Sequence, residues 1–281
     1  MTDWQESIEF ESIGPLRRFF KLAVFHPFAN YLPAPIMRWL LKVTESELAA
    51  ANWKDPGGWR SMVISYEGKP TQIADKILVG TGSVPTALRN RKKLGSALIA
   101  HLIEQVPADN AHVLCLGAGP GLIIIDALKS TDHPAHATLV DISDEAFEYG
   151  QSKAAEHGVS DRVNYIRGDV RDIQTILDEP PQVVKMIGIC EYLTDEQITE
   201  IITAVSAVMP AGTAIVFNSI SKSHGTNRFF HHVFGLKMNH RTPAELEALM
   251  APAGFGEFEE YPEPVGVYHM IVGRKLETSE A

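Results

Sequence analysis

Val113-Leu-Cys-Leu-Gly117-Ala-Gly119-Pro-Gly121 is the stretch that decides the fold. An apolar strand runs directly into glycines at 117, 119 and 121, and a helical stretch over 121–130 follows. Glycines in such a strand-to-helix turn let the backbone approach a ligand closely. Position 122, where a dinucleotide fingerprint places its third glycine, is Leu122, which weighs against a nicotinamide cofactor. Thr138-Leu-Val-Asp141 ends the next apolar run on an acid 20 residues past Gly121 (141 − 121), placed to accept hydrogen bonds from both hydroxyls of a ribose.

Downstream, apolar runs and helical patterns alternate, the sign of a parallel sheet covered by helices. The pattern predicts strands near 111–117, 136–141, 162–167, 183–190 and 213–219, with helices near 121–130, 143–157, 170–178 and 194–209 between them. A helix at 242–253 follows Thr242-Pro243, a cap and a first-turn proline. Two closing strands, 255–261 and 266–274, are separated by Pro262 and Pro264 and suit an antiparallel pair at the sheet edge. Upstream, Pro85 to Val106 reads as a helix with Leu94, Leu98, Leu102 and Val106 on one face and Arg89, Arg91, Lys92 and Lys93 in its first half.

Before residue 84 the chain is irregular and aromatic. Leu16 to Lys42 holds Arg17, Arg18, Lys21, Arg38 and Lys42 and no acid, so it carries +5 and the remainder of the chain −15 (−10 − 5). Phe19, Phe20, Phe25, Phe28, Tyr31, Trp39 and Leu40 are interrupted by Pro27, Pro33 and Pro35, which predicts two short helices about a proline bend, the second over 35–53. Two readings stand for this segment: a lid over the ligand crevice, or an interfacial helix touching anionic lipid. The prolines argue against a long membrane-lying helix and favour the lid.

The 281 residues are 45% hydrophobic and 21% charged, the balance of a globular chain with a full-sized core. The net charge of −10 repels polyanions, which excludes nucleic acid as a first expectation. No apolar run reaches the length of about 18 residues that a membrane-spanning helix needs, so integral membrane association is not expected. The first fifteen residues hold Asp3, Glu6, Glu9 and Glu11 and no basic residue, the wrong start for a signal peptide, and point to the cytoplasm. Cys115 and Cys190, both in apolar runs, suit a reducing compartment and are too few for a zinc site of cysteines alone.

Two further strand ends carry polar groups. Tyr165-Ile-Arg-Gly-Asp169-Val170 sets an acid beside an apolar residue, able to accept from an adenine amino group while Val170 covers the ring. Gly188-Ile-Cys190-Glu191-Tyr192-Leu193 brings Glu191 and Tyr192 to the same carboxyl edge, where open α/β sheets bind ligands.

Over about residues 85–275 these motifs resemble the class I S-adenosylmethionine-dependent methyltransferases. The resemblance implies a Rossmann-like, doubly wound, seven-stranded, mostly parallel sheet with an antiparallel last strand, and S-adenosyl-L-methionine as cofactor. It implies cofactor contacts from Gly117, Ala118, Gly119, Gly121, Asp141, Ile142, Asp169, Val170 and Cys190. One departure stands out: the family usually has an acid two residues before the first glycine, and here that position is Cys115. Recognition of the methionine ammonium or carboxylate must then come from elsewhere, with Arg91 and Tyr66 as chemical candidates.

The expected domain organisation is an N-terminal helical lid over 1–84, a cofactor-binding domain over 85–275 and a disordered tail over 276–281. The expected activity is methyl transfer to a hydroxyl or amine of a small molecule, with Glu191, Tyr192, His224 and His231 as candidates to accept the proton or hold an ammonium. His231 and His232 are adjacent, so on a helix they diverge, which argues against a metal. Aminocarboxypropyl transfer from the same cofactor, a nicotinamide oxidoreductase and a non-catalytic nucleoside-binding protein are the alternatives.

Overall fold

The computed structural model describes residues 3–107 and 109–277. Seven strands form one sheet in the order β3-β2-β1-β4-β5-β7-β6: β1 Ala111–Leu116, β2 Ala135–Asp141, β3 Val163–Arg167, β4 Val183–Met186, β5 Ala214–Ile220, β6 Phe255–Pro262 and β7 Tyr268–Lys275. The first five are parallel, and β7 runs antiparallel between β5 and β6. Every residue of β1 is buried, as a central parallel strand covered on both faces requires.

One face of the sheet packs under the helices Ser83–Glu104 and Leu122–Lys129, through Leu98, Ile99, Val113 and Ile124. The other packs under Asp195–Val208 and Pro243–Met250, through Leu114, Val184, Ile202 and Phe217. Both of these last helices start on a threonine capping box, at Thr194 and Thr242, which satisfies their first free N–H groups. β1 lies between β2 and β4, so the connections diverge there, and a crevice opens at the carboxyl ends of β1 and β4.

Three details depart from the sequence reading. β4 ends at Met186 rather than 190, because Gly188 takes φ +87° and donates its N–H to the Asn218 side chain at 2.7 Å. The helix expected over 35–53 is two, Ala34–Val43 and Glu47–Lys54, divided at Glu45 with φ +51° and restarted by the Ser46 cap. Fully buried Asp75 holds this junction, accepting from the Ser46 hydroxyl and from the Glu47 N–H at 2.8 Å. Two helices the pattern did not announce, Trp59–Glu67 and Ile73–Thr81, fill the stretch before Ser83.

Pro15–Phe20, a π-helical stretch Lys21–Phe25 and His26–Tyr31 follow one another as a rod, and the chain turns at Leu32 and Pro33 into Ala34–Val43. Ala29, Met37, Leu41 and Ala49 bury themselves against Phe229, Val233 and Phe234 of the segment after β5. Nearer the start, Glu11 exchanges backbone bonds with the Asn90 side chain at 2.8 and 2.9 Å and pairs with Arg89 at 2.7 Å, strapping the N-terminus along the helix Ser83–Glu104. Of the expected tail, Leu276 donates its N–H to Gly254 at 2.9 Å, and residues 278–281 lie outside the described residues.

Candidate active site

The crevice has a volume of about 690 Å³ and is walled by the glycine loop, the ends of β2 and β4 and the N-terminal residues Ala51 to Tyr66. Gly121 sits at φ +75°, and a Cβ there would lie 2.1 Å from Leu139 Cδ2, so only glycine lets the loop turn against β2. A Cβ at Gly119, where φ is +53°, would meet nothing nearer than Trp59 Cβ at 3.5 Å. That bare backbone is the cradle a ligand needs to approach. Asp141 Oδ2 accepts the Gly119 N–H at 2.7 Å and Oδ1 accepts the Ser143 N–H at 3.0 Å, fixing the carboxylate beside the loop. Ile142, beside it, is 72% exposed on the crevice wall, an apolar surface left bare among the described residues.

Asp169 and Val170 also line the crevice. The Asp169 carboxylate is taken by Arg171, which donates from its backbone N–H and from Nε, each at 2.9 Å, and again from Nη2. These bonds pull its pKa down to about 2. Cys190 is buried behind the wall and does not line it, and burial pushes its thiol up to about 12.

Arg91 and Tyr66 do reach the crevice. Arg91 donates from Nη2 to the Tyr66 hydroxyl at 3.0 Å and from Nη1 to Glu191 Oε1 at 3.0 Å, and its guanidinium lies 4.6 Å from the Tyr268 ring centroid. Burial opposes its charge, but Tyr66, Tyr268 and Glu191 more than offset this and hold it protonated. Glu191 is therefore committed to an ion pair rather than free in the cavity. Its other oxygen, Oε2, is buried with no hydrogen-bond partner among the described residues. Tyr192 stands where the crevice meets a second, narrower and mostly apolar cavity, and burial raises its phenol well above the ordinary value, so it stays protonated.

The two histidine candidates are placed elsewhere. His224 is buried, within 3.0 Å of the Thr226 hydroxyl and 3.1 Å of His240, and lines neither cavity. His231 is exposed on the outer side of the segment and lines neither.

Sequence reasoning missed Lys185. It sits in β4 opposite Cys115 in register, only 4% exposed, and lines the crevice. Among the described residues no carboxylate forms an ion pair with it. Its ammonium counteracts the rise that burial imposes on the Cys115 thiol. A lysine inside the run Val183 to Met186 was the available signal, since an apolar strand carries a buried cation only where something answers it. Across the crevice mouth Arg60 pairs with Glu145 at 2.9 Å and stacks 4.5 Å from the Trp59 ring centroid, joining Trp59–Glu67 to the helix Asp144–Glu156.

Residues 113–212 match the family model of the methyltransferase domain. The match runs from β1 to the turn before β5, so this part of the chain is a methyltransferase domain. No curated protein matches the chain. Among solved structures, a possible exported protein of Bordetella parapertussis superposes with a TM-score of 0.66 at 15% identity, over 95% of this chain and 100% of that one. Magnesium protoporphyrin IX methyltransferase of Synechocystis, with S-adenosylhomocysteine bound, gives 0.58 at 12% identity over 85% and 99%. An O-methyltransferase family protein from Burkholderia thailandensis gives 0.54 at 14% identity over 87% and 72%. At these identities the likeness is one of fold, and the seven-stranded sheet with antiparallel last strands is the expected one. The residues present fit S-adenosylmethionine, the cofactor that the sequence motifs imply: the cradle at Gly119, the acid at Asp141 and the exposed Ile142 suit its nucleoside. Among the described residues no helix is long and apolar enough to cross a membrane.

Proposed function

We propose that the enzyme methylates a hydroxyl or amine of a small molecule that lies in the crevice beside Tyr192 and sets a small apolar group in the second cavity, about 60 Å³ in volume. The observation that carries this reading is the junction: Gly57, Met62 and Tyr192 line both the cofactor crevice and a cavity walled by Phe25, Leu88, Phe229 and Met238. A crevice that holds the charged groups Arg91, Asp141, Asp169 and Lys185, opening into a more apolar cavity, suits two reactants of different character.

Asp141 holds the ribose, Ile142 and Val170 cover the adenine, and Asp169, already bonded to Arg171, offers its remaining acceptor capacity at the ring edge. Lys185 and Arg91 take the methionine carboxylate, the anion that a buried lysine without an acid partner calls for. When bound, S-adenosylmethionine would supply the methyl group of its sulfonium in line with the acceptor, the C–S bond breaking as the C–O or C–N bond forms, with S-adenosylhomocysteine and the acceptor's proton released. The chain's own work is alignment and exclusion of water, done by Trp59, Met62 and Tyr66 over the crevice. Glu191 acts through Arg91 as a positioning residue, and the protonated Tyr192 orients the acceptor at the junction by hydrogen bonding.

By-product analysis with a panel of apolar alcohols and amines tests this reading. S-adenosylhomocysteine formed only with acceptor supports it. Methylthioadenosine would instead mean transfer of the aminocarboxypropyl arm.

A further inference from the structure

Ten large apolar side chains stand in solvent between Leu16 and Val43: Leu16, Phe19, Phe20, Leu22, Val24, Phe28, Tyr31, Ile36, Trp39 and Val43. Phe19 is 70% exposed, Tyr31 75% and Trp39 60%. Leu16, Phe20, Val24 and Phe28 recur at every fourth residue. The helix Ala34–Val43 buries Met37 and Leu41 and leaves Ile36, Trp39 and Val43 exposed, at steps of three and four. Ala29, Met37 and Leu41 seat on one cluster, around Phe229 and Val233, so their bare sides belong to one end of the molecule. Water-facing apolar surface of this extent marks an interaction site.

Charge decides the occupant. Residues 16–42 carry five cations and no acid, and the segment they pack on, residues 222–237, adds Lys222, Arg228 and Lys237, again with no acid. This end of the chain therefore holds +8 against −18 for the remainder (−10 − 8). Arg18, Arg38 and Lys42 are exposed among the aromatic residues. A two-fold pairing of this face with a second copy would set +8 against +8. Aromatic side chains interleaved with arginine and lysine are instead the composition that settles into an anionic headgroup layer.

We propose that the face built by residues 15–43 docks on an anionic lipid surface, with the aromatic rings at the headgroup boundary and the cations on lipid phosphates. Helix breaks do not oppose this, because Pro27 sits in the first turn of His26–Tyr31 and the rod continues past it. Phe25, from the same rod, also walls the second cavity, so that cavity lies directly behind the docking face.

The test is cosedimentation of the full chain with vesicles of phosphatidylcholine alone or with added phosphatidylglycerol, at low and high salt. The expected result is binding to the anionic vesicles only, released by salt, with tryptophan emission quenched by brominated acyl chains in wild type and not in Trp39→Phe. Phe19→Ser with Phe20→Ser, and separately Arg18→Glu with Lys42→Glu, should each weaken binding by about tenfold or more. The charge-reversed pair lies on exposed side chains and keeps the test valid if the serine variant unfolds. No binding to anionic vesicles, equal binding to neutral ones, or a dimer in sedimentation equilibrium that the same substitutions dissociate would each overturn the proposal.

Discussion

Arg91 and Glu191 form an ion pair at 3.0 Å with side chains only 3% and 2% exposed, tying the long helix before β1 to the exit of β4. Breaking a buried pair from one side strands the other charge. Glu191→Ala should therefore destabilise the fold by about 3–5 kcal/mol. Arg91→Met combined with Glu191→Leu should recover most of that stability in urea unfolding yet bind S-adenosylhomocysteine poorly. Equal instability of single and double variants would mean that the pair is not what holds this junction.

Asp141→Ala removes an acceptor that two backbone N–H groups already orient toward the glycine loop. Binding of S-adenosylhomocysteine should weaken by about 1–3 kcal/mol in calorimetry, the cost of an unmade hydrogen bond in a desolvated site. Unchanged affinity would place the ribose elsewhere.

Lys185→Met tests the methionine end separately from the nucleoside end. Loss of the charge-assisted contact should cost S-adenosylhomocysteine about 1.5–3 kcal/mol of binding and leave adenosine, which lacks the carboxylate, unaffected. Equal losses for both ligands would make Lys185 a structural residue of β4.

His112 provides a pH test. It is 2% exposed, and burial, then the neighbouring His136, lower its pKa below the ordinary 6.5. The unfolded chain therefore binds the proton more readily, so the contribution of neutral His112 to stability is complete above pH 6.5 and lost as pH falls below it. The urea midpoint should fall on acidification from pH 7 to 5, and the fall should be smaller in His112→Gln. An identical pH profile in the variant would assign the loss to other groups.

What was legible in the sequence was what local chemistry dictates. The strand of Val113 to Leu116 running into Gly117, and the acid closing β2 at Asp141, announced both the sheet and the crevice at its carboxyl edge. The break at Glu45 and Ser46 was not legible, because the residue that holds it is Asp75, 29 positions away. The helix Trp59–Glu67 escaped notice because it buries serines, Ser61 and Ser65, beside Val63 rather than an apolar stripe. Glu191 reached the expected region, but its partner Arg91, 100 residues earlier, turned a candidate base into half of an ion pair. His231 carried suitable chemistry at a place only the fold decides.

Arg89, Asn90 and Arg91 are consecutive, yet the first two grip the N-terminal strap at Glu11 while the third faces the cofactor crevice. One helical turn thus answers to two events, seating of the chain terminus and filling of the crevice. Such events are reciprocal: if the cofactor steadies Arg91 and with it the strap, the strap raises cofactor affinity by the same factor. Residues 8–12, which touch no part of the cofactor crevice, are then thermodynamically part of it. Their amides should exchange more slowly once S-adenosylhomocysteine is bound, and trimming them should loosen a ligand they never meet.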